Sequence, residues 1–542
     1  MVLREAYQAL TRPSLPTLQV QKFPIPTGGV NAVSSFSGLK QNECHYCYNI
    51  LPTEQGMKTR RGTKEYANDV GFQIRTMIPF NGRKADRTDD KLYATGNDGI
   101  YEVGTGGAGS AVKRFSFATS NATAGYGNYI YWVAANGDPF ILYADAVNGL
   151  IMYTGTTNTW AVVTNITGLD ETKVRFVVQH KLRIWLILED DSNAYYLGAN
   201  ANSGAATQFQ LGSKFKNGGD LAGIFNLTVD AGDGIDDLFL AISRAGDILA
   251  FQGTDPSSAN TWGLKGQWQV GEIPAGRKFA EEMSGDVIVL SSFGVSSVND
   301  LLQGSEPFEN YSSPMNKISN LVRERMVDEI STAGWEIMLY PTDGALVIQS
   351  PERVGKADRY LHYVYNMNTK AWGFWRDVKS LSMCTWRGDL YYGDVNGEVW
   401  QMTGTYDNVT IASPGSNQTA VEFSLLTAFS DAGAPGMVKR CSVIKPFFYG
   451  TDLSSYQTKV LYDYDFTELT SAGTTTPTTA SVWNTAKWNT TGIWVGDRAD
   501  NKPFDSLGAG MGVVMAIALR GRAEGKVTLM EMNITYDRGN YL

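Results

Sequence analysis

Seven times in this sequence an apolar or aromatic run of strand length meets a turn of Gly, Asn and Asp and is followed by a second such run. The copies are KLYATGNDGIYEV from Lys91, YIYWVAANGDPFILY from Tyr129, KLRIWLILEDDSNAYYL from Lys181 and DLFLAISRAGDILAF from Asp237. DVIVLSSFGVSSV from Asp286, WEIMLYPTDGALVIQ from Trp335 and DLYYGDVNGEVWQM from Asp389 complete the set. The turns NDG, ANGD and VNG are hairpin chemistry, because Asn, Asp and Gly tolerate the positive φ that matches strand twist. Successive copies start about 40 to 55 residues apart, the period of a four-stranded propeller blade. The expected fold is therefore all-β: a β-propeller of six to eight blades, with seven hairpins counted, and few open strand edges.

Between the hairpins lie strands that carry tryptophan: NTWAVV with Trp160, NTWGLKGQWQV with Trp262 and Trp268, and NTKAWGFW with Trp372 and Trp375. The Asn-Thr before Trp reads as a turn feeding an outer strand whose indole covers the gap between neighbouring blades. These five are structural aromatics. One segment breaks the β pattern: in NKISNLVRERMVDEI, Asn316 to Ile330, the residues Ile318, Leu321, Val322, Met326 and Ile330 fall on one face at helical spacing. Past Tyr406 a polar stretch leads into FSLLTAF, CSVIKPFFYG, a Thr-rich loop, WNTAKWNTTGIWVG and two closing apolar runs, which reads as a C-terminal β-sandwich-like domain. The expected division is an N-terminal arm over 1–70, the propeller over 71–406 with one inserted helix near 316–330, and the C-terminal β domain over 407–542.

Composition excludes several function classes. The net charge of -9 speaks against a protein that grips DNA, since phosphate binding is largely neutralisation by Lys and Arg. MVLREAYQAL lacks the apolar core of a signal peptide, and the run GVVMAIAL is far short of a membrane span. Cysteines 44, 47, 384 and 441 are too scattered for a disulfide framework and read as reduced thiols. Cys44, His45 and Cys47 lack the second ligand pair that zinc needs, and no long helix follows to activate a redox pair. His180 and His362 stand alone in strand-like apolar contexts and read as hydrogen-bonded structural residues. GTGGAG, Gly104 to Gly109, is followed by the alternating SAVKRFSFAT rather than by the helix a phosphate loop requires. The acidic DAGDGIDD, Asp230 to Asp237, fits no EF-hand spacing and reads as a solvated turn. No catalytic, metal or cofactor residue is singled out.

FQGTDPSSANTWGLKGQWQVGEIPAGRK, Phe251 to Lys278, followed by GDVIVLSSFGVSSV, resembles the core signature of the tail hub or nozzle proteins of short-tailed bacteriophages, some of which are called packaged-DNA stabilisation proteins. NMNTKAWGFW, RGDLYYGDVNGEVWQM, TAFSDAGAPGMVKRCSVIKPFF and the Trp-rich end follow in that family's order, and the similarity extends over most of residues 20–542. The resemblance implies a structural virion protein with no catalytic residues, resident in the virion tail after assembly in the host cytoplasm. It further implies a homo-oligomer, a hexameric ring below the portal and adaptor, that encloses a DNA channel, retains the packaged genome, lets it pass on ejection and anchors tail fibres or tailspikes.

An acidic chain suits a conduit, whose walls must let DNA slide. The basic run MKTRRGTK follows an apolar stretch through Tyr46, Tyr48, Ile50 and Leu51, and is read as the anchoring of the arm. Arg60 and Arg61 are read there as buried or interfacial partners of carboxylates. With Arg83 and Lys84 they are also the candidates for an interface or for a basic collar on the DNA channel. Two other functions fit a propeller: a glycosidase, needing two inward carboxylates about 5 to 10 Å apart, and a carbohydrate-binding protein resting on the tryptophans.

Overall fold

The structure, a computed structural model, describes residues 18–541 apart from 105–108, 135, 229–236, 259, 306–312, 357, 412–417, 451 and 473–509. The centre of GTGGAG, nearly all of the acidic DAGDGIDD turn and the Thr- and Trp-rich stretch lie outside the described residues.

Among the described residues, seven successive antiparallel strand sets follow one another along the chain. Their first strands are Thr76–Phe80, Gly127–Val133, Val174–His180, Leu221–Thr228, Ala280–Met283, Glu336–Tyr340 and Ser382–Trp386. Six sets have four strands, and the fifth has three, followed by the short helix Val298–Leu302. Each first strand lies against the next, and Ser382–Trp386 lies against Thr76–Phe80. Each of the seven sequence hairpins belongs to a different set. Two of their turns hold glycine at positive φ, Gly137 at 82° and Gly397 at 85°. At Gly397 a Cβ would stand 2.8 Å from the Phe72 carbonyl oxygen.

The strands are apolar almost throughout because both of their faces are covered, the pattern expected when sheets stack on each side. Since successive side chains point to opposite faces, Met77, Leu92 and Ala94 join a core shared with the seventh set, while Ile78 and Tyr93 join one shared with the second. Val287 and Val289 face the fourth set and Ile288 and Leu290 the sixth. Ile337 faces the fifth and Met338 the seventh. The core is thus a series of slabs between neighbouring sheets.

The chain ends join this body by pairing with each other. Lys64–Ala67 supplies the fourth strand of the seventh set, opposite Val399–Gln401. Cys44–Tyr48 runs beside Val421–Thr427 and touches Ala371–Arg376 through the Tyr48–Phe374 bridge, so that the sixth set continues into an eight-stranded sheet ending at Leu453–Tyr462. In a five-stranded sheet, Thr528–Tyr541 pairs with Met437–Tyr449 on one side and with Gln19–Phe23 and Gly56–Thr59 on the other. Within the expected arm, the strands Gln19–Phe23, Cys44–Tyr48, Gly56–Thr59 and Lys64–Ala67 are therefore built into sheets with later residues. The expected helix forms as a 3-10 turn over Pro314–Ile318 leading into the α-helix Ser319–Glu329. Ile318, Val322 and Met326 are buried, with Leu321 and Ile330 packed at the margin of the same core.

Candidate functional site

The first strands surround a cavity of two compartments. One, of about 470 Å³, is lined by residues of six of the seven first strands, among them Tyr129, Val177, Ile224, Glu281, Met338 and Cys384. The other, of about 400 Å³, opens where the first strands begin and carries Arg75, Arg244 and Arg277. Arg277 and Lys278 line both compartments and so stand at the waist.

The segment that reaches the waist is fixed by its neighbour. Lys278 bridges to Glu336 in parallel, the Ile337 amide donating to the Lys278 carbonyl at 2.8 Å. The Lys278 ammonium then meets Glu336 Oε1 at 2.6 Å and sits 5.3 Å from the Tyr129 ring centroid. Burial alone would lower the pKa of Lys278, but the Glu336 carboxylate reverses this and raises it. Glu281 lines the inner compartment, and burial pushes its carboxyl up to about 7 even though Lys278 acts the other way. Such a group is half protonated near neutral pH and can give or take a proton.

At the open mouth, Arg175 Nη2 lies 2.9 Å from Asp220 Oδ2 and Arg244 Nε 3.1 Å from Asp220 Oδ1. Glu189 Oε2 lies 3.5 Å from Arg175 Nε and 3.9 Å from Arg277 Nη1. Arg75 donates to the carbonyls of Asn121 and Ala124 and stacks over Tyr126.

The residues singled out in the sequence lie elsewhere. Arg60 is buried, with a side chain 1% exposed, and its guanidinium forms a fork to Asp407 at 2.8 and 2.6 Å while Nε donates to Asn49. Arg61 reaches Asp343 at 2.8 Å at the surface. Arg83 and Lys84 are exposed in the loop joining the first two strands of the first set, where Arg83 donates to the Gly137 carbonyl. Their loop, residues 81–90, holds three basic and three acidic side chains, and Asp89 accepts from both backbone amides. Arg387 of a neighbouring turn ties the 81–90 loop through Asp90 at 3.1 Å.

Four of the five tryptophans are in the core. Trp160 and Trp262 pack inside their own sets and against a neighbour. Trp372 faces the chain-end core and donates to the Pro314 and Met315 carbonyls; Trp375 faces the seventh set; Trp268 is half-buried. His180 pairs with Asn226 at 2.6 Å and His362 with the Val378 carbonyl at 2.8 Å, and burial pushes both down to about 4. Cys44 and Cys47 are buried free thiols, and burial raises Cys44.

Sequence reasoning missed the cavity residues Arg277, Lys278 and Glu281, and Arg175 buried behind Asp220. A signal existed in the repeat itself: superposing the copies would have shown a basic residue at or just before the first strand at Arg75, Arg175 and Arg277. In a strand flanked by slabs of core, a charge at the start has only the cavity beside the first strands to face.

No family model matches this sequence, and no curated protein aligns with it. Among solved structures, the computationally designed protein Ika8 aligns over 63% of this chain and 99% of its own at 9% identity and a TM-score of 0.35, a likeness too slight to bear on fold or function.

Proposed function

We propose that the seven strand sets are the blades of a closed β-propeller carrying a C-terminal β-sandwich-like domain, and that the protein is the tail hub or nozzle of a short-tailed bacteriophage. In this role a hexameric ring sits below the portal and adaptor, closes the DNA channel, retains the genome until ejection and anchors fibres or spikes. The propeller is supported by the succession of first-strand contacts that returns to its start and by the seventh set's use of Lys64–Ala67 as fourth strand.

The observation that carries the structural role is the eight-stranded sheet running without a break from the sixth set into the chain-end strands, pinned by the buried Arg60–Asp407 fork. A scaffold stitched this way transmits load between its two parts, which suits a protein that holds back a packaged genome. The ordered motifs from Phe251 onward supply the family. DNA then passes between copies and not along the axis of each one. Compartments of about 400 and 470 Å³ crossed by Arg277 and Lys278 admit no duplex, whose major groove alone is about 12 Å wide. Light scattering on the purified protein tests the reading: the expected mass is six times 59.3 kDa, and a stable monomer speaks against it.

One observation favours a second reading. Glu281, pushed up to about 7, and Glu282 both line the inner compartment, where a glycosidase of propeller form would hold its acid and its base. Hydrolysis of a glycan panel, abolished in Glu281→Gln, would replace the nozzle reading with this one.

A further inference from the structure

The mouth of the axial cavity carries more positive charge than its own carboxylates answer. Four guanidiniums gather there, Arg75, Arg244 and Arg277 in the lining and Arg175 buried behind it; the lining carboxylates are Glu189, Asp190, Asp220 and Glu336, of which Glu336 is taken by Lys278 at 2.6 Å. Asp220 is shared by Arg175 and Arg244. Glu189 is shared by Arg175 and Arg277 at 3.5 and 3.9 Å, beyond hydrogen-bond length. Asp190 stands exposed at the rim without an ion pair among the described residues. Asp145, close behind Arg277, already accepts from the Gly125 and Val147 amides and from Asn148.

Arg277 is the least satisfied of the four. Among the described residues its one hydrogen bond is from Nε to the Tyr126 carbonyl, at 3.4 Å, although the side chain is only 18% exposed. Burial and the nearness of Arg244 lower its pKa, and burial together with Arg277 and Arg244 lowers that of Arg175, the direction expected of cations crowded without enough countercharge. The fork of Arg277 lines a cavity of about 400 Å³ that is open to solvent. A buried cation short of a partner costs free energy unless an anion completes it.

We propose that this mouth binds a single oxyanion group, a carboxylate or a phosphate, with Arg277 as its principal ligand and Arg75 and Arg244 as flanking charges. Planar guanidiniums recognise such oxyanions through paired N–H donors. The group can come from a small free anion or from an acidic side chain of another polypeptide, and it engages the axis of the single chain, independently of whether copies assemble into a nozzle.

Calorimetric titration of the whole protein at constant ionic strength tests this, with inorganic phosphate, acetate and a tetraglutamate peptide as probes. Saturable one-to-one binding of phosphate or acetate is expected. It should weaken about tenfold to a hundredfold in Arg277→Gln, the range for a hydrogen bond to a charged group, and persist in Lys265→Gln on the outer surface. A tetraglutamate affinity well above that of acetate identifies a polypeptide as the source; equal affinities identify a free anion. No saturable binding of any probe, or equal binding by Arg277→Gln, overturns the proposal. Should that variant not fold, Arg277→Lys keeps the charge without the fork, and an affinity unchanged from the native protein overturns it equally.

Discussion

The body of seven strand sets and the seam where the chain ends meet are both antiparallel β-structure, yet they are held together in opposite ways. In the body, partner strands are neighbours in sequence, as Gly127–Val133 is with Pro139–Asp145, except where Lys64–Ala67 completes the seventh set. In the seam, Gln19 faces Tyr536, Tyr48 faces Ser424 and Lys58 faces Thr528. Closing contacts over such separations costs chain entropy before any burial offsets it. The seam is therefore expected to form last and to open first, and it depends on the body to bring its strands together. Two features secure it once formed. A bidentate ion pair joins residues 60 and 407, and strands from both chain ends pack in one core on the helix Ser319–Glu329.

The most disruptive challenge to the contrast is deletion of residues 1–59. This removes strands from both seam sheets and should leave residues 421–541 open to limited proteolysis while the body resists. Next in size, Trp372→Ala and Trp375→Ala should each cost about 3 to 5 kcal/mol through lost burial and a cavity. They should act in different places, with hydrogen exchange rising in the seam for Trp372 and between the sixth and seventh sets for Trp375. Arg60→Ala leaves Asp407 with a lost partner and should cost about 3 kcal/mol or more by chemical denaturation, whereas Arg60→Met with Asp407→Leu should recover much of it.

A smaller effect separates the cavity from both regions. Because the folded-state pKa of Glu281 is raised to about 7 from 4.5, the native chain holds a proton that the unfolded chain has lost between those values. Stability from this group is thus present in acid and falls as pH rises from 4.5 through 7. Glu281→Gln should stabilise the protein by about 1 to 2 kcal/mol at about pH 8, allowing for water in the cavity, and the gain should vanish below about pH 4 in melting curves. Smallest of all, Arg83→Gln with Lys84→Gln should change stability by less than about 0.5 kcal/mol, since both side chains are exposed.

The same contrast explains what could be read from residues alone. Each hairpin was legible because its apolar runs and its turn lie within one short window, as in DLYYGDVNGEVWQM. The helix was legible from spacing, apart from the 3-10 start that Pro314 sets. The seam was not legible: nothing in ECHYCYNILPT names Val421–Thr427 as its partner, and the alternation of Cys44–Tyr48 is broken by a register shift between Cys44 and Tyr46. Arg60 is read from MKTRRGTK as a partner of some carboxylate, but nothing in that run names Asp407, which is distant in sequence, as the one it meets. The cavity residues escaped notice because a charge at a strand start reads as a solvated end unless the strand is known to face a cavity.

Electron cryomicroscopy of the purified protein with and without duplex DNA puts the nozzle reading at greatest risk. Six-fold rings are expected, in which seven-bladed discs surround a lumen between copies, wide enough for DNA, while each disc's own axis stays closed at Arg277 and Lys278. Single discs that do not assemble, or DNA density running through the axis of a disc, would contradict it.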